Sequence, residues 1–593
     1  LIWLITLKVF GLSSVNIAVI GAGPTGLVAA LLSRLQGLHV EVFDQKSQSD
    51  VFGHAHFLNA YSLHILSVVG VDMDALLSLS TPVSQSLRMA YGFSFREIYA
   101  YADLNSDAFF KKAWDSAGPW GGSRSICYHS LMALLLDCCQ RYGVPIHWDT
   151  RIDSLLQLDS HVELLLCSIV KKRRYTQSFS WVFNCEGSQG HLAKKLGQAY
   201  MHKKDWRSFI SVDVYGDISE FCQLPCMLYW FYQPDFQCCV VAHDCKKYQV
   251  WQIPIHKVSR NMDATVINTV AKSCVSHILG NHGMDTFTLG NAQVWRMQTH
   301  LLKSMRKDRV FFLGDCVHAM TPAGGMGMNA GFADAYNLVW KLAAYLDKPK
   351  SYTLQSYHDE RYPIVRQQVQ YSINNYQDFL SLPRLFGVDA PGISITSRYT
   401  RFPSSLSSYQ RTLSRMLPMV FNMPLLGRFL RESIDSVVAK NALHFQGLDQ
   451  HLGFMCKEFV ITRGEKSTAS YTFVNDCYLP GRILPFVQLS GNRLGSLYDY
   501  IDGKTWLCVV ENNQSHWYRF FKGFTNCMVV VQGIHFDPRD KRFILPLGFC
   551  LVVRPDAIVS ALLGDVDETN SKELFTLWLN HDGDDVHVGK DLG

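Results

Sequence analysis

The 593-residue sequence predicts an α/β protein: a Rossmann-like nucleotide-binding domain with an inserted antiparallel-sheet domain, a helical segment and a separate C-terminal unit. Three observations predict it. A strand runs directly into G-x-G-x-x-G and a helix between Val15 and Gln36. A second strand, glycine-rich loop and helix recur between Arg309 and Lys341. Between these two units lie short apolar runs of the kind that form antiparallel strands.

The first strand, Val15-Asn16-Ile17-Ala18-Val19-Ile20, leads into Gly21-Ala22-Gly23-Pro24-Thr25-Gly26 and the helical run Leu27 to Gln36. Gly21 permits the tight turn, Gly23 lets the backbone approach a pyrophosphate, and Gly26 lets helix and strand pack closely. The phosphates would meet unpaired N–H groups and the positive end of the helix dipole. The next strand, His39 to Phe43, ends at Asp44, 18 residues after Gly26, where a carboxylate can accept hydrogen bonds from a ribose. These residues define a dinucleotide site and do not distinguish FAD from NAD.

The stretch from about 201 to 295 contains the runs Met227 to Tyr232, Cys238 to Ala242 and Tyr248 to Ile255, read as antiparallel strands. Their aromatics, Tyr229, Trp230, Phe231, Tyr232 and Trp251, are expected to pack within the sheet. Farther on, Arg309-Val310-Phe311-Phe312-Leu313-Gly314-Asp315 reads as a strand ending on an acid. The loop Thr321-Pro322-Ala323-Gly324-Gly325-Met326-Gly327-Met328-Asn329 then opens a helix. Such a loop presents backbone N–H groups to an electron-rich ring edge, and the helix N-terminus stabilises charge developing on a reduced ring.

This second segment closely resembles the second FAD fingerprint of the aromatic-ring flavoprotein hydroxylases, the family with the para-hydroxybenzoate hydroxylase fold. The resemblance implies FAD as the tightly bound cofactor, with Asp315 on the ribitol chain and Pro322 and the Gly324 to Asn329 loop facing the isoalloxazine. It adds Gln45, Arg124 and Gly314 to the cofactor-binding residues, and within the loop it singles out Gly325, Gly327, Met328 and Asn329. The segment Ser356-Tyr357-His358-Asp359-Glu360-Arg361-Tyr362-Pro363 also looks like the family's pattern, and His318 is expected to shape the loop.

Trp181 to Leu196-Gly197 resembles the family's middle Asp-Gly motif in degraded form. Glu186 stands where an aspartate is usual, Gly190 for a serine and Ala193 for an arginine. That motif is associated with the FAD pyrophosphate and with nicotinamide use, so its erosion leaves the choice between NADPH and NADH open. In the tail, Leu479 to Pro485, Gly495 to Asp499 and Leu551 to Asp556 resemble the thioredoxin-like C-terminal domain of the phenol hydroxylase branch. No C-x-x-C occurs in the sequence, so dithiol chemistry is not expected there.

The resulting organisation is a FAD-binding domain over 15–200, with some substrate-domain strands, and over 296–365. A substrate-binding sheet spans 201–295, a helical segment 366–450 and a thioredoxin-like domain 451–593. The implied reaction is hydroxylation of a phenol-like or polycyclic aromatic substrate with NAD(P)H and O2. In the family, NAD(P)H reduces FAD, dioxygen adds at the flavin C4a position, and the distal oxygen passes to an electron-rich ring. A flavin-binding tailoring epoxidase and a non-catalytic flavoprotein sensor or scaffold are the alternative readings. A flavin-dependent halogenase is disfavoured, because Gln249 stands where the first tryptophan of W-x-W-x-I-P belongs before Trp251 to Pro254.

One side chain is a candidate for the chemistry. His56, in Gly53-His54-Ala55-His56-Phe57-Leu58-Asn59, aligns with an aspartate that lies near the substrate hydroxyl in phenol hydroxylase, so the resemblance nominates it as the base that helps deprotonate a phenol. The net charge of +5 is small and scattered, giving no nucleic-acid footprint, and Lys171 to Arg174 reads as a solvated hairpin turn. The 17 cysteines, irregularly spaced, read as reduced thiols, and no metal site is expected. Leu1 to Leu12 is mostly apolar but shorter than the roughly 20 residues that span a bilayer. A cytoplasmic protein without stable membrane insertion is expected, with a homodimer as a candidate assembly.

Overall fold

The computed structural model describes most of residues 15–379, with breaks at 49–52, 54, 83–87, 104–119, 121, 218–220, 222–225, 234–235, 244–249, 257–262, 281–285, 291 and 348–353. Beyond 379 it describes short stretches, chiefly 495–510, 514–524, 526–531 and 550–563. The greater part of the helical segment expected at 366–450, and most of Leu479 to Pro485, lie outside the described residues.

A six-stranded sheet carries the nucleotide-binding layer. Five strands run parallel, in the order Val310–Phe312, Trp181–Asn184, Asn16–Ile20, His39–Phe43 and Ile146–His147, and Arg306–Lys307 adds antiparallel at one edge. The central strand Asn16–Ile20 is buried from Ile17 onward, as its unbroken apolar run requires. The following helix, Pro24–Leu35, starts with proline at its first turn, where the missing N–H costs nothing, and is buried from Gly26 to Ser33. It packs along the long helix Gly327–Asp347, so both glycine-rich loops open at the same end of the sheet.

A three-stranded meander, Thr150–Gln157, Val162–Ser168 and Arg173–Phe179, follows the fifth strand. Its second turn includes Lys172 at φ 50°, and Lys171 to Arg174 are exposed, in agreement with a solvated hairpin.

The second large sheet is nine-stranded. Its path runs His318–Ala319, Gln293–Leu302, Tyr200–Tyr215, Val250–His256, Gln237–Ala242, Leu228–Tyr232, Arg88–Ser94 and Glu97–Asp103, with Thr288–Leu289 also pairing to Tyr200–Tyr215. Neighbours are antiparallel except Leu228–Tyr232 beside Arg88–Ser94, which are parallel. The helix Ala264–Ile278, capped by the Asp263 side chain accepting from Val266 N–H, buries Ile267, Ala271, Cys274, Val275 and Ile278. Trp251 is buried, donating its indole N–H to Gly216 O at 3.1 Å and meeting Phe95 edge-on. That accounts for it as core.

The tail forms a four-stranded sheet in the order Cys527–Val531, Trp506–Val510, Cys550–Val553, Val559–Leu563. The first two are parallel and flank the short helix His516–Phe521, and the last two are antiparallel. A β-α-β unit followed by a hairpin in this order is a thioredoxin-like core. Trp506, Trp517 and Phe521 close it against Trp340 of the long helix.

A buried ion network ties this unit to the nucleotide domain. Arg554 donates to both Glu360 oxygens, at 2.7 and 3.1 Å, and to both Asp556 oxygens, at 2.9 and 2.6 Å. Lys341 Nζ and Asn337 Nδ2 each donate to Glu360 Oε2 at 2.7 Å. Tyr61 and Tyr336 donate their hydroxyls to Asp556 O and Pro555 O. Burial opposes the ionisation of Glu360, but Arg554 and Lys341 outweigh it and hold its pKa below the usual carboxylate range. Among the described residues no helix is long and apolar enough to cross a membrane.

Candidate functional site

The first glycine-rich loop satisfies three separate steric demands. Gly21 sits at φ 107°, and a Cβ there would lie 2.3 Å from Cys185 O. A Cβ on Gly26 would lie 1.9 Å from Gly21 O, so helix and loop touch through that hydrogen. At Gly23 the backbone is ordinarily extended and no protein atom lies within 4 Å of an added Cβ. The space beside Gly23 is therefore open cavity, which is what a pyrophosphate approaching the backbone needs. No side chain caps the helix that follows, and its first turn holds no acid, which leaves its N–H groups to an anion.

Asp44 closes the other side of this loop. Ala22 N–H donates to its Oδ2 at 2.7 Å and Lys46 N–H to its Oδ1 at 2.8 Å. The carboxylate is thus oriented by two backbone donors, with lone pairs left for a diol.

The second loop enters from the opposite wall. Gly314, at φ 64°, would place a Cβ 3.0 Å from Thr25 Oγ1, so the two fingerprints are in contact. Asp334 locks this junction: its Oδ2 accepts from Gly314 N–H at 3.0 Å and lies 2.6 Å from His318 Nε2, while Arg361 Nε donates to Oδ1 at 2.8 Å. Burial opposes the Asp334 charge, but His318 and Arg361 prevail and lower its pKa. His318 thus shapes the loop from a fully buried position. Asp315 instead exposes its side chain to the cavity, where the surrounding protein raises its pKa and His318 opposes the rise.

Together these elements line one cavity of about 610 Å³, a size in the range of cofactor sites. Gly21, Gly23, Pro24, Thr25 and Gly26 form one wall, and Asp44 and Gln45 one end. Asp315, Pro322, Gly325, Gly327 and Met328 form the facing wall, and His56 lies along it. Gly314, Asn329 and Arg124 do not line it. Gly314 supports the wall from behind. Asn329 is buried and ties the loop to its neighbours, accepting from Asn59 N–H and Ser62 Oγ and donating to Phe57 O and Gly325 O. Arg124 donates to Trp120 O at 3.0 Å from a strand paired with Phe57–Leu58.

Sequence reasoning missed several lining residues. Tyr128, the first residue of the helix Tyr128–Arg141, reaches the cavity, and its phenol is pushed up by burial and by the charges of Asp44 and Asp315. Lys46 and Arg151 add cations at the Asp44 end, and Gln293 and Trp295 enter from the nine-stranded sheet. None of these belongs to a glycine motif; only the strand-to-helix transition at Arg124 to Tyr128 offered a signal for one of them. Glu186 lines the cavity too, but its Oε2 accepts from Leu192 N–H at 3.0 Å and from Asn184 Nδ2 at 3.2 Å, so it caps the short helix Leu192–Lys195.

The residues fit FAD. The uncapped helix start, the vacant space at Gly23 and the two carboxylates at separate points of one cavity suit a pyrophosphate, a ribose and a ribitol chain. Asp44→Ala and Asp315→Ala are each expected to weaken FAD retention by about 10- to 100-fold, the loss of charge-assisted hydrogen bonds worth roughly 1.5–3 kcal/mol. Titration of apoprotein with FAD measures this, and unchanged affinity in both variants would remove the assignment.

His56 lies beside the facing wall, its Nδ1 hydrogen-bonded to Ser125 Oγ at 3.2 Å and its ring stacked on His243 at 5.4 Å. Burial lowers its pKa to about 4. His54 lies outside the described residues.

Comparison with known proteins matches residues 14–372 to the family model described as FAD binding domain. The chain is 21% identical over 375 residues to 2,4-dichlorophenol 6-monooxygenase of Delftia acidovorans, covering 61% of this chain and 63% of that protein. It is 24% identical over 360 residues to pentachlorophenol 4-monooxygenase of Sphingobium chlorophenolicum, covering 60% and 63%. The matches thus span less than two thirds of the length of these relatives. Among solved structures, the flavin-dependent monooxygenase PieE in complex with FAD and substrate superposes with TM-score 0.81 at 20% identity, covering 96% of this chain and 99% of that one. Aklavinone-11 hydroxylase with FAD and aklavinone gives 0.72 at 18%, covering 96% and 99%. These likenesses show the fold.

Proposed function

The chain belongs to the FAD-binding domain family, and from that premise we propose that it is an FAD-dependent monooxygenase hydroxylating a phenol-like or polycyclic aromatic substrate with NADPH or NADH and O2. The observation that carries this reading is the single cavity in which both fingerprints meet, beneath a broad antiparallel sheet. FAD, when bound, supplies hydride acceptance and the activation of dioxygen.

The chain's own residues would bind and orient it. Gly21 to Gly26 and the helix behind them would hold the pyrophosphate, Asp44 the ribose and Asp315 the ribitol. The loop Pro322 to Met328 would face the ring, and the N-terminus of Gly327–Asp347 opens onto the same cavity, so negative charge arising there would be stabilised without reorganisation. Trp295 and Gln293 of the nine-stranded sheet line the cavity and would stand over a ligand held there.

His56 is proposed to act on the substrate hydroxyl. With its pKa near 4 it is neutral through pH 5–8 and free of the charge that would stop it accepting a hydrogen bond. A phenol of pKa near 10 is too weak an acid to be fully deprotonated by it, so its part is to polarise the O–H bond as the ring attacks. His56→Ala should keep FAD content and slow hydroxylation by up to roughly 10²-fold, diverting reducing equivalents to hydrogen peroxide. The loss should shrink as pH rises toward the phenol's own pKa. In the unmodified protein the protonation of His56 should impair turnover only as pH falls toward 4, with no inflection from it between 5 and 8. Undiminished product per NAD(P)H in the variant at neutral pH would exclude the role.

The whole reading is tested by anaerobic stopped-flow reduction of the FAD-loaded protein with NADH and with NADPH, with and without phenols. Reduction accelerated by a phenol supports it. A flavin that neither nucleotide reduces would favour a flavoprotein scaffold.

A further inference from the structure

The nine-stranded sheet has one face against the helix Ala264–Ile278 and one toward the cavity. Two contacts mark the cavity side of the sheet, Gln293 and Trp295 on one strand and His243 at the end of another, and strand pairing relates the other strands to them. On Tyr200–Tyr215, Phe209 pairs with Trp295 and Ser211 with Gln293, and both partners line the cavity. Directly paired residues share a face and so do residues two apart, which puts Asp213 on the same side as Ser211. Asp213 pairs in turn with Gln252 on Val250–His256, and Gln252 with Val241 on Gln237–Ala242. Two residues beyond Val241, His243 stacks on the cavity-lining His56. The intervening residues Val212 and Val214 pair with Ile253 and Trp251, and all four are buried on the opposite, apolar face.

A carboxylate in this position needs a reason. Asp213 is only 6% exposed, and its Oδ1 has no hydrogen-bond partner. Gln252 hydrogen-bonds the carboxyl group and thereby fixes its orientation. Burial raises its pKa, against the opposing influence of His129 and Gln252. A buried carboxylate with one oxygen left unsatisfied is costly to the free protein and is tolerated where a ligand supplies the missing donor.

We propose that Asp213, oriented by Gln252, is the specificity-determining acceptor for a hydroxyl or amine N–H on the substrate, selecting hydroxy- and amino-substituted aromatics over aromatic carboxylic acids. The proposal rests on the monooxygenase reading for the aromatic nature of the ligand. It adds which substituent the sheet recognises. A donor would fill the vacant valence of Oδ1, whereas a ligand carboxylate would meet a like charge in a poorly hydrated site.

The test titrates FAD-loaded protein at pH 8 with matched pairs, resorcinol against 3-hydroxybenzoate and naphthalene-2,7-diol against 7-hydroxy-2-naphthoate. Binding is read from the flavin absorbance shift and by calorimetry. The unmodified protein should bind each diol at least about tenfold more tightly than its acid partner. Asp213→Asn and Asp213→Ser should each bring that ratio to within about threefold, mainly by weakening the diol. Asp213→Asn should also raise the melting temperature of the ligand-free protein, because it removes a buried carboxylate with one unsatisfied oxygen. FAD content serves as the folding control.

Equal or tighter binding of the acids by the unmodified protein, failure of both pairs to bind it, or an unchanged ratio in both variants would overturn the proposal. If the diols bind with the expected preference but NAD(P)H yields no hydroxylated product, the monooxygenase reading fails and the assignment of Asp213 stands.

Discussion

Gly26→Ala is expected to prevent formation of the nucleotide domain, and Gly23→Val to leave a folded protein that has lost FAD. The two glycines stand three residues apart in one motif, yet the structure gives them opposite roles. A methyl group on Gly26 would lie 1.9 Å from Gly21 O and 3.1 Å from Gly21 C, backbone atoms that cannot rotate away. Relief requires moving the helix Pro24–Leu35, whose buried face packs on both the first strand and the long helix Gly327–Asp347. Overpacking of this kind costs about 1–3 kcal/mol where side chains can adjust, and more where only backbone can. Soluble yield and melting temperature should both fall.

Gly23 differs in every respect. Its φ of −73° and ψ of 174° suit any residue, and a Cβ meets nothing within 4 Å. Valine there should fold normally and fill the space through which phosphate oxygens reach the helix N–H groups. Losing two such charge-assisted contacts implies an FAD affinity weaker by on the order of 10² or more. FAD titration with circular dichroism separates the two outcomes, and normal FAD affinity in Gly23→Val would show that the loop does not carry the pyrophosphate.

Arg554→Ala is the second large effect. The guanidinium serves two carboxylates, Glu360 and Asp556, all three buried to within 3% of full exclusion from solvent. Removing it leaves two anions with only Lys341 as counter-charge, and breaking such a cluster costs about 3–5 kcal/mol. Because the chain has several units, the loss should appear first as local opening. Limited proteolysis should cut within or near 495–563 well before the nucleotide domain. Replacing Glu360, Arg554, Asp556 and Lys341 together with apolar residues should recover much of the loss, since no charge is then left unpaired. Equal proteolytic resistance in Arg554→Ala would show that the tail is held by its apolar contacts alone. The pH dependence follows from Glu360. Its pKa is lowered on folding, so its stabilising contribution is complete above about pH 4.3–4.5 and is lost as pH falls toward the lower folded value.

The fold class was legible because its signals are local. Gly21, Gly23 and Gly26 announce strand, turn and helix within a dozen residues, and steric necessity at Gly21 and Gly26 explains why such a motif can be read without a partner sequence. The strands at 227–255 were legible as apolar runs bounded by turns.

Long-range pairings were not legible in that way. Arg88–Ser94 joins the sheet by lying parallel to Leu228–Tyr232, about 140 residues away, and nothing local to either strand specifies the other. Arg554 and Glu360 are 194 residues apart, and each alone reads as an ordinary surface charge. In the candidate site, Asp44 and Asp315 stood out because each ends a strand next to a glycine loop. Tyr128 sits at a helix start that carries no glycine motif, so the strand-to-helix transition hints at it but only the assembled cavity gives it a role. Asp213 was hidden for a related reason: a lone acid in a strand suggests solvent exposure, and its burial depends on which neighbours cover it.

The most direct measurement of the central claim is isotopic. FAD-loaded protein is incubated with NAD(P)H, a hydroxyl-bearing aromatic that binds it, and ¹⁸O₂ in unlabelled water, and the product is analysed by mass spectrometry. The expected product is a hydroxylated ring carrying one ¹⁸O atom, formed only with FAD and NAD(P)H present. Product oxygen drawn from water, or NAD(P)H consumed solely to hydrogen peroxide with every aromatic that binds, would contradict it.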